Sequence, residues 1–186
     1  MEHRRVTGKE LDEILNQHRL WVKSGHEEGE RADLTYADLC YVSLVGDNLQ
    51  DANLNSVRMT SAILNWTNLR GSDLRNADLY RSQMTGADLR GAKLNNASLV
   101  AVDLRGADLR EADLSGVSLD QAKLAGADLR GTDLRDAVLC GALGLGEAIT
   151  DETTKAPEPL SPAESLWIRN ADTLIRVLGI IGENTC

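Results

Sequence analysis

A leucine or methionine stands at every fifth residue from Leu34 to Leu139 without a break, 22 positions of which only Met59 and Met84 are not leucine. A period of five matches neither the 3.6 of an α-helix nor the 2 of a long strand, so this stretch can build neither a helical bundle nor an ordinary sheet. Two residues before each of these positions the chain has Ala at 13 places, Val at four, Ser at two and Thr at two, with Asp47 the one departure. Between the two stands Asp at ten places and Asn at three. In extended backbone, residues two apart face the same way. The small residue and the leucine therefore point inward, the Asp or Asn points outward, and the two residues after the leucine turn a corner. Glycine at the second corner position, as at Gly86 and Gly106, suits a turn that needs positive φ. A chain that turns every five residues must coil.

Two further periods set the size of the coil. Arg70, Arg90, Arg110 and Arg130 follow their leucines at a spacing of 20, and Gly46, Gly86, Gly106 and Gly126 share a second phase of 20. Four pentapeptides per coil follow, which makes 22 repeats about five and a half coils. At roughly 4.8 Å per stacked strand the rod is about 26 Å long. Each leucine lies over the one 20 residues away, so the interior consists of columns of like side chains. The composition agrees: 42% of the chain is hydrophobic, yet there are only three Trp, three Tyr and no Phe, too few rings for a core built from large aromatics.

The run DLRNADLYRSQMTGADLRGAKL at 73–94 resembles the pentapeptide-repeat proteins, whose motif is A(D/N)LXX. The resemblance covers 32–141, which is 110 of 186 residues, and implies an all-β solenoid, a right-handed quadrilateral parallel β-helix. The family often mixes Phe with Leu at the central position; the absence of Phe here implies uniformly Leu-sized layers. The flanks LNQHRLWVKSGHEEGERADL and AITDETTK are similar to bacterial members.

Three segments are expected: 1–31, 32–141 and 142–186. An open stack leaves unpaired strand edges and a bare leucine layer at each end, so both flanks are expected to act as covers. Thr7 followed by Glu10 makes a capping box, and Leu11, Ile14, Leu15, His18 and Val22 fall on one helical stripe ahead of Gly25, which places a helix at about 8–24. After Gly141 the sequence reads as a turn-rich connector containing all three prolines. Ser161, Pro162 and Glu164 then start a second helix to about 178. Its apolar residues, Leu166, Trp167, Leu174, Ile175 and Leu178 among them, fill an arc of roughly 200°, wider than the roughly 100° a one-sided surface helix needs. Either the helix is a well-buried cap, or one side caps the last coil while the other meets a second protomer as a homodimer.

Three cysteines do not make a disulfide framework, and the start MEHRRVTGKELDE lacks the apolar stretch of a signal peptide, so a reducing, cytoplasmic setting is expected. LIRVLGII at 174–181 carries Arg176 and is far shorter than the roughly 20 residues of a membrane span, so no membrane association is expected. His3, His18 and His26 match no metal motif and read as surface or cap-packing residues, while Cys40, Cys140 and Cys186 have no activating base and read as free thiols. GLG at 144–146 lacks the third glycine of a dinucleotide loop. Neither catalysis nor a cofactor is expected.

The arginine column lies beside Asp88, Asp108 and Asp128 on one face. It reads as a charge ladder whose members neutralise one another; the alternative is an anion-binding stripe. The resemblance also implies a second function, since the family includes quinolone-resistance proteins that bind DNA gyrase by imitating duplex DNA. The chain carries −9 overall, but 32–141 holds 15 acids against 11 bases, split −2, −1, +1 and −2 over the four faces. No face imitates dense phosphate charge. Direct nucleic-acid binding is not expected either. The outward column Cys40, Thr60, Tyr80 and Val100, with Tyr36 and Tyr41 nearby, is the least polar strip; it is either an interaction surface or the place where the N-terminal segment lies. Asp47, at an inward position, reads as a corner residue with partial access to solvent. The expected function is a non-catalytic, rigid protein-interaction scaffold whose partner is an unidentified protein.

Overall fold

A computed structural model describes residues 3–139 and 141–157. Parallel bridges link each outward residue to the one 20 further on, from Asp33 with Asn53 through Lys123 with Leu143, in four ladders. We call the faces first to fourth after Leu34, Leu39, Leu44 and Leu49. The same three bonds recur in each repeat, illustrated by Leu54. The Leu54 N–H donates to the Asp73 carbonyl one coil on (2.8 Å), the Asp73 N–H returns to the Ala52 carbonyl (3.0 Å), and the Val57 N–H closes the corner on the Leu54 carbonyl (3.1 Å). Each five-residue side therefore makes two inter-coil bonds and one corner bond.

All 22 central residues are buried, and so are the small inward residues except Val42 and Asp47. Inward hydroxyls are satisfied by leucine carbonyls: Thr67 Oγ1 donates to Leu44 (2.7 Å), Ser72 Oγ to Leu69 (2.7 Å) and Thr132 Oγ1 to Leu109 (2.8 Å). At these three positions Thr or Ser stands where Ala does without a buried polar penalty, whereas the buried Ser82 hydroxyl has no hydrogen-bond partner among the described residues. The second corner position has positive φ throughout. Glycine fills nine of the corners, and residues as large as Tyr41, Trp66 and Arg81 fill others at φ 62, 62 and 56. The fold imposes the left-handed conformation and glycine only lowers its cost.

The N-terminal flank closes one end. Strand β1 (Arg4–Arg5) pairs in parallel with β2 (Ala37–Asp38) at the head of the second face. Helix α1 (Gly8–Lys23) follows, with the Thr7 hydroxyl accepting from the Glu10 N–H and Ser24 closing its C-terminus. Leu11, Leu15 and His18 form its buried stripe. Leu11, Leu15 and Arg19 share a cleft with Val42 and Asp47, which accounts for the two inward positions that are not sealed by the coil itself. Asp47 keeps about a quarter of its side chain exposed and meets Arg19 Nη2 at 3.5 Å, so it has the partial solvent access read from its corner position, together with a cationic partner from α1.

The ladders do not stop at Gly141. Asp128 pairs with Ile149 and Asp133 with Lys155, while Leu145, Ala148, Thr154 and Ala156 extend the buried interior. The spacing widens to 21 and then 22 residues because the 3₁₀ turn Leu145–Glu147, entered through Gly144 at φ 75, adds length at a corner. These insertions break the five-residue register, which is why the sequence here reads as a connector. Cys140, Cys186 and the helix assigned to Leu166, Trp167, Leu174, Ile175 and Leu178 lie outside the described residues.

Candidate functional site

On the fourth face the arginines and aspartates interlock. Each Asp is fixed first by its own backbone: Asp88 Oδ1 accepts from the Arg90 N–H two residues on (3.2 Å), an Asx turn that aims the carboxylate along the rung. The Arg90 guanidinium then closes on it as a fork, Nε to Oδ1 at 2.8 Å and Nη2 to Oδ2 at 2.6 Å. Arg110 with Asp108 and Arg130 with Asp128 repeat this geometry. The rungs are tied to one another by Arg90 Nε to Asp108 Oδ2 and Arg110 Nε to Asp128 Oδ2, both at 3.6 Å. Arg70 differs because the residue two before it is Asn68. Among the described residues no carboxylate lies within ion-pair distance of it. Gln50, Arg70, Arg90 and Arg110 line a shallow groove of about 500 Å³, into which Asp51 and Glu111 also project. The lining therefore carries three arginines against two carboxylates.

The fork is a property of the tripeptide Asp-Leu-Arg wherever it occurs. Asp73 with Arg75, Asp103 with Arg105 and Asp133 with Arg135 form it on the first and third faces with the same 2.6–2.9 Å contacts. These pairs are as legible in the sequence as the arginine column, but lie on other faces and share no 20-residue column of arginines. The arginine fork, opposed by partial burial, holds the Asp73, Asp88, Asp103, Asp128 and Asp133 carboxyls below the usual carboxylate range. A depressed carboxyl stabilises the fold above its unfolded pKa, and the contribution disappears as pH falls through the folded value. The melting temperature of the β-helix is expected to be insensitive to these groups above about pH 4 and to fall steadily below it. Thermal unfolding followed by circular dichroism from pH 5 to pH 2 reads this, and a flat profile to pH 2 would show that the forks contribute nothing.

The apolar surface is distributed differently from the sequence column. Cys40, Tyr80 and Val100 are half-buried on the second face, and Arg81 stacks over the Tyr80 ring at 5.0 Å. Tyr36 is half-buried and meets His3 edge-on at 6.5 Å. Strand β1 lies at the head of this face, where the Arg4 N–H donates to the Tyr36 carbonyl at 2.7 Å. Tyr41, at the corner into the third face, is 77% exposed. Across the third face stand Ile63 and, at the corner into the fourth face, Val45 and Trp66, which the column reading did not contain. Val45 is half-exposed and Trp66 is 67% exposed. The Trp66 ring lies over Gly86, whose missing side chain leaves the space the ring occupies. The spacing of Trp66 and Gly86 by 20 residues was a usable signal.

Among the described residues no group of three His, Cys, Asp or Glu is placed to hold a metal ion, and no helix is long and apolar enough to cross a membrane.

The model of the pentapeptide repeats family matches with eight copies over residues 30–65, 64–96 and 97–136. Among solved structures, the chain is similar to HetL, a pentapeptide repeat protein involved in heterocyst differentiation regulation from the cyanobacterium Nostoc sp. strain PCC 7120. The identity is 28% over 66% of this chain and 61% of HetL, with a TM-score of 0.37, so the chain spans about three fifths of that relative's length. It is similar to Rfr23 from the cyanobacterium Cyanothece 51142, at 27% identity over 64% of this chain and 90% of that one, with a TM-score of 0.41. QnrB1, a plasmid-mediated fluoroquinolone resistance protein, is 18% identical over 73% of this chain and 74% of its own, with a TM-score of 0.36. No curated protein matches by sequence. The unbroken five-residue period, the four ladders of 20-residue pairing and the family match over more than half of the chain identify it as a member of the pentapeptide-repeat family, a right-handed quadrilateral β-helix.

Proposed function

We propose that this protein is a non-catalytic scaffold that binds a protein partner through the apolar surface of the third face, formed by Tyr41 at its corner with the second face, Ile63 along it, and Val45 and Trp66 at its corner with the fourth face. The observation that carries this reading is the exposure of Tyr41 and Trp66, 77% and 67%, on a backbone held at both edges by inter-coil hydrogen bonds. Elsewhere on the rod six Asp-Leu-Arg pairs close into forks. Large, rigid rings presented with little conformational freedom are the residues that dominate protein interfaces.

Trp66→Ala and Tyr41→Ala are expected to weaken partner binding by at least about 2 kcal/mol each, roughly 30-fold in Kd, as for a central interface anchor. Stability is expected to change by no more than about 0.5 kcal/mol for Tyr41→Ala, since that ring is a surface group. The measurement is affinity capture from the native host with the wild-type and variant rods side by side, followed by titration of the captured partner. Equal capture by all three proteins would remove the surface from consideration. The alternative, a gyrase-binding imitation of duplex DNA, lacks a strongly acidic face because each Asp-Leu-Arg carboxylate is neutralised within its own rung. Inhibition of gyrase supercoiling by the purified protein would displace the scaffold reading.

A further inference from the structure

In each later repeat the inward residue's N–H closes a corner onto the leucine carbonyl three residues earlier, as Ala37 does with Leu34 and Ala52 with Leu49. Ala32 has no such corner before it, because Gly29 stands where a leucine would. Its N–H donates instead to Nδ1 of His18 on α1, at 3.1 Å. His18 is fully buried, and its Nε2 has no hydrogen-bond partner, facing the Gln50 backbone outside bonding geometry. Trp21 stacks on it at 5.5 Å between ring centroids, and His26 stacks on Trp21 at 3.7 Å.

An Nδ1 that accepts a hydrogen bond carries no proton, so His18 is the neutral Nε2–H tautomer. Adding a proton to Nδ1 would set two donors against each other and place a cation in a dry seam. The ionic groups that act on it most are Arg31 and His26 from the lead-in and Asp51 from the first coil. We propose that His18 is an acid-released latch: neutral, it completes the first repeat and holds α1 on the N-terminal end of the rod; protonated, it lets α1 and the lead-in detach as a unit. Detachment bares the Ala32 N–H and the upper edge of the first coil, which is a template for pairing with another rod. Burial, which opposes the charged form, pushes the His18 pKa down in the same sense. A base whose folded pKa is lowered destabilises the closed state as pH falls below its unfolded value of about 6.5, with the opening constant rising up to about tenfold per pH unit.

Hydrogen exchange of the full chain, corrected for intrinsic pH dependence, tests this. Protection of the α1 amides and of Ala32 is expected to fall about tenfold between pH 6 and pH 5, while amides from the second coil onward keep theirs. His18→Gln, whose side-chain oxygen can still accept from Ala32, is expected to abolish the step, and His26→Gln to leave it in place. A step that survives His18→Gln or vanishes with His26→Gln overturns the latch. If His18→Gln leaves α1 unprotected at every pH, the ¹⁵N resonances of His18 in the wild-type chain decide. Loss of α1 protection in step with protonation at Nδ1 supports the latch, and protonation with α1 still protected overturns it.

Discussion

Leu89→Ala is expected to lower the unfolding free energy by about 3 kcal/mol, the middle of the range for emptying a sealed leucine site. Leu89 is fully buried in the middle of the rod, one coil below Leu69 and one above Leu109 in the same column, and both of those are buried as well. A cavity there removes contacts to both neighbouring layers. The rod cannot collapse to fill it, because the inter-coil hydrogen bonds fix the layer spacing on every side. Leu139→Ala, at the end of the unbroken period and 7% exposed, is expected to cost visibly less, since it has fewer layers to lose. Urea unfolding of the two variants and the wild type measures the difference. A loss below about 1 kcal/mol at Leu89 would mean that the columns are not the source of stability argued for here.

Gly29→Ala is expected to cost a similar amount, about 3 kcal/mol, by a different route. Gly29 has φ 75 and lies where the lead-in returns along α1. An added Cβ would meet the Leu20 Cβ and the Trp21 N at 2.8 Å, with the Gln17 carbonyl nearer still. Two of those three atoms are helix backbone and cannot rotate away. The lead-in must therefore separate from α1, at the expense of the bond from the Glu30 N–H to the Gln17 carbonyl (3.3 Å) and of the seam around His18. Gly106→Ala is the control: φ is 64, no atom lies within 4 Å of the added carbon, and only the left-handed backbone penalty of about 1 kcal/mol remains. The damage at Gly29 should appear as faster hydrogen exchange confined to α1 and the first coil. Equal losses for the two glycines would show that the close approach of the lead-in contributes nothing.

The rod was legible because its physics is local and repeated. Two inward residues, one outward residue and a corner exhaust each pentapeptide, and the alternation of Ala and Leu around Asp states the register 22 times. The Arg70, Arg90, Arg110, Arg130 column gave the number of sides, since one coil returns each arginine to the same face. The neutralising ladder was also within reach, because an Asp and an Arg two residues apart on one rung meet whatever the rest of the fold does. Where the period is perturbed, legibility ended. Residues 142–156 carry the interior onward through Leu145, Ala148, Thr154 and Ala156, but two extra residues shift them out of phase with the preceding repeats.

The sequence by itself determined the architecture: the period of five, the inward and outward assignment of each position, the 20-residue coil and the capping helix begun by Thr7 and Glu10. Each follows from interactions within a repeat or between identical positions one coil apart, so the pattern of residues is the pattern of contacts. Only the tertiary structure decided what lies where unlike parts meet. It brought His18 of α1 to the unpaired N–H of Ala32, set Arg19 against Asp47, and gathered Tyr41, Val45, Ile63 and Trp66 on and beside the third face. Those contacts join residues that no shared period relates. They depend on the direction in which α1 crosses the end of the coil and on how far each side chain reaches around a corner, and both are fixed only when the chain is folded.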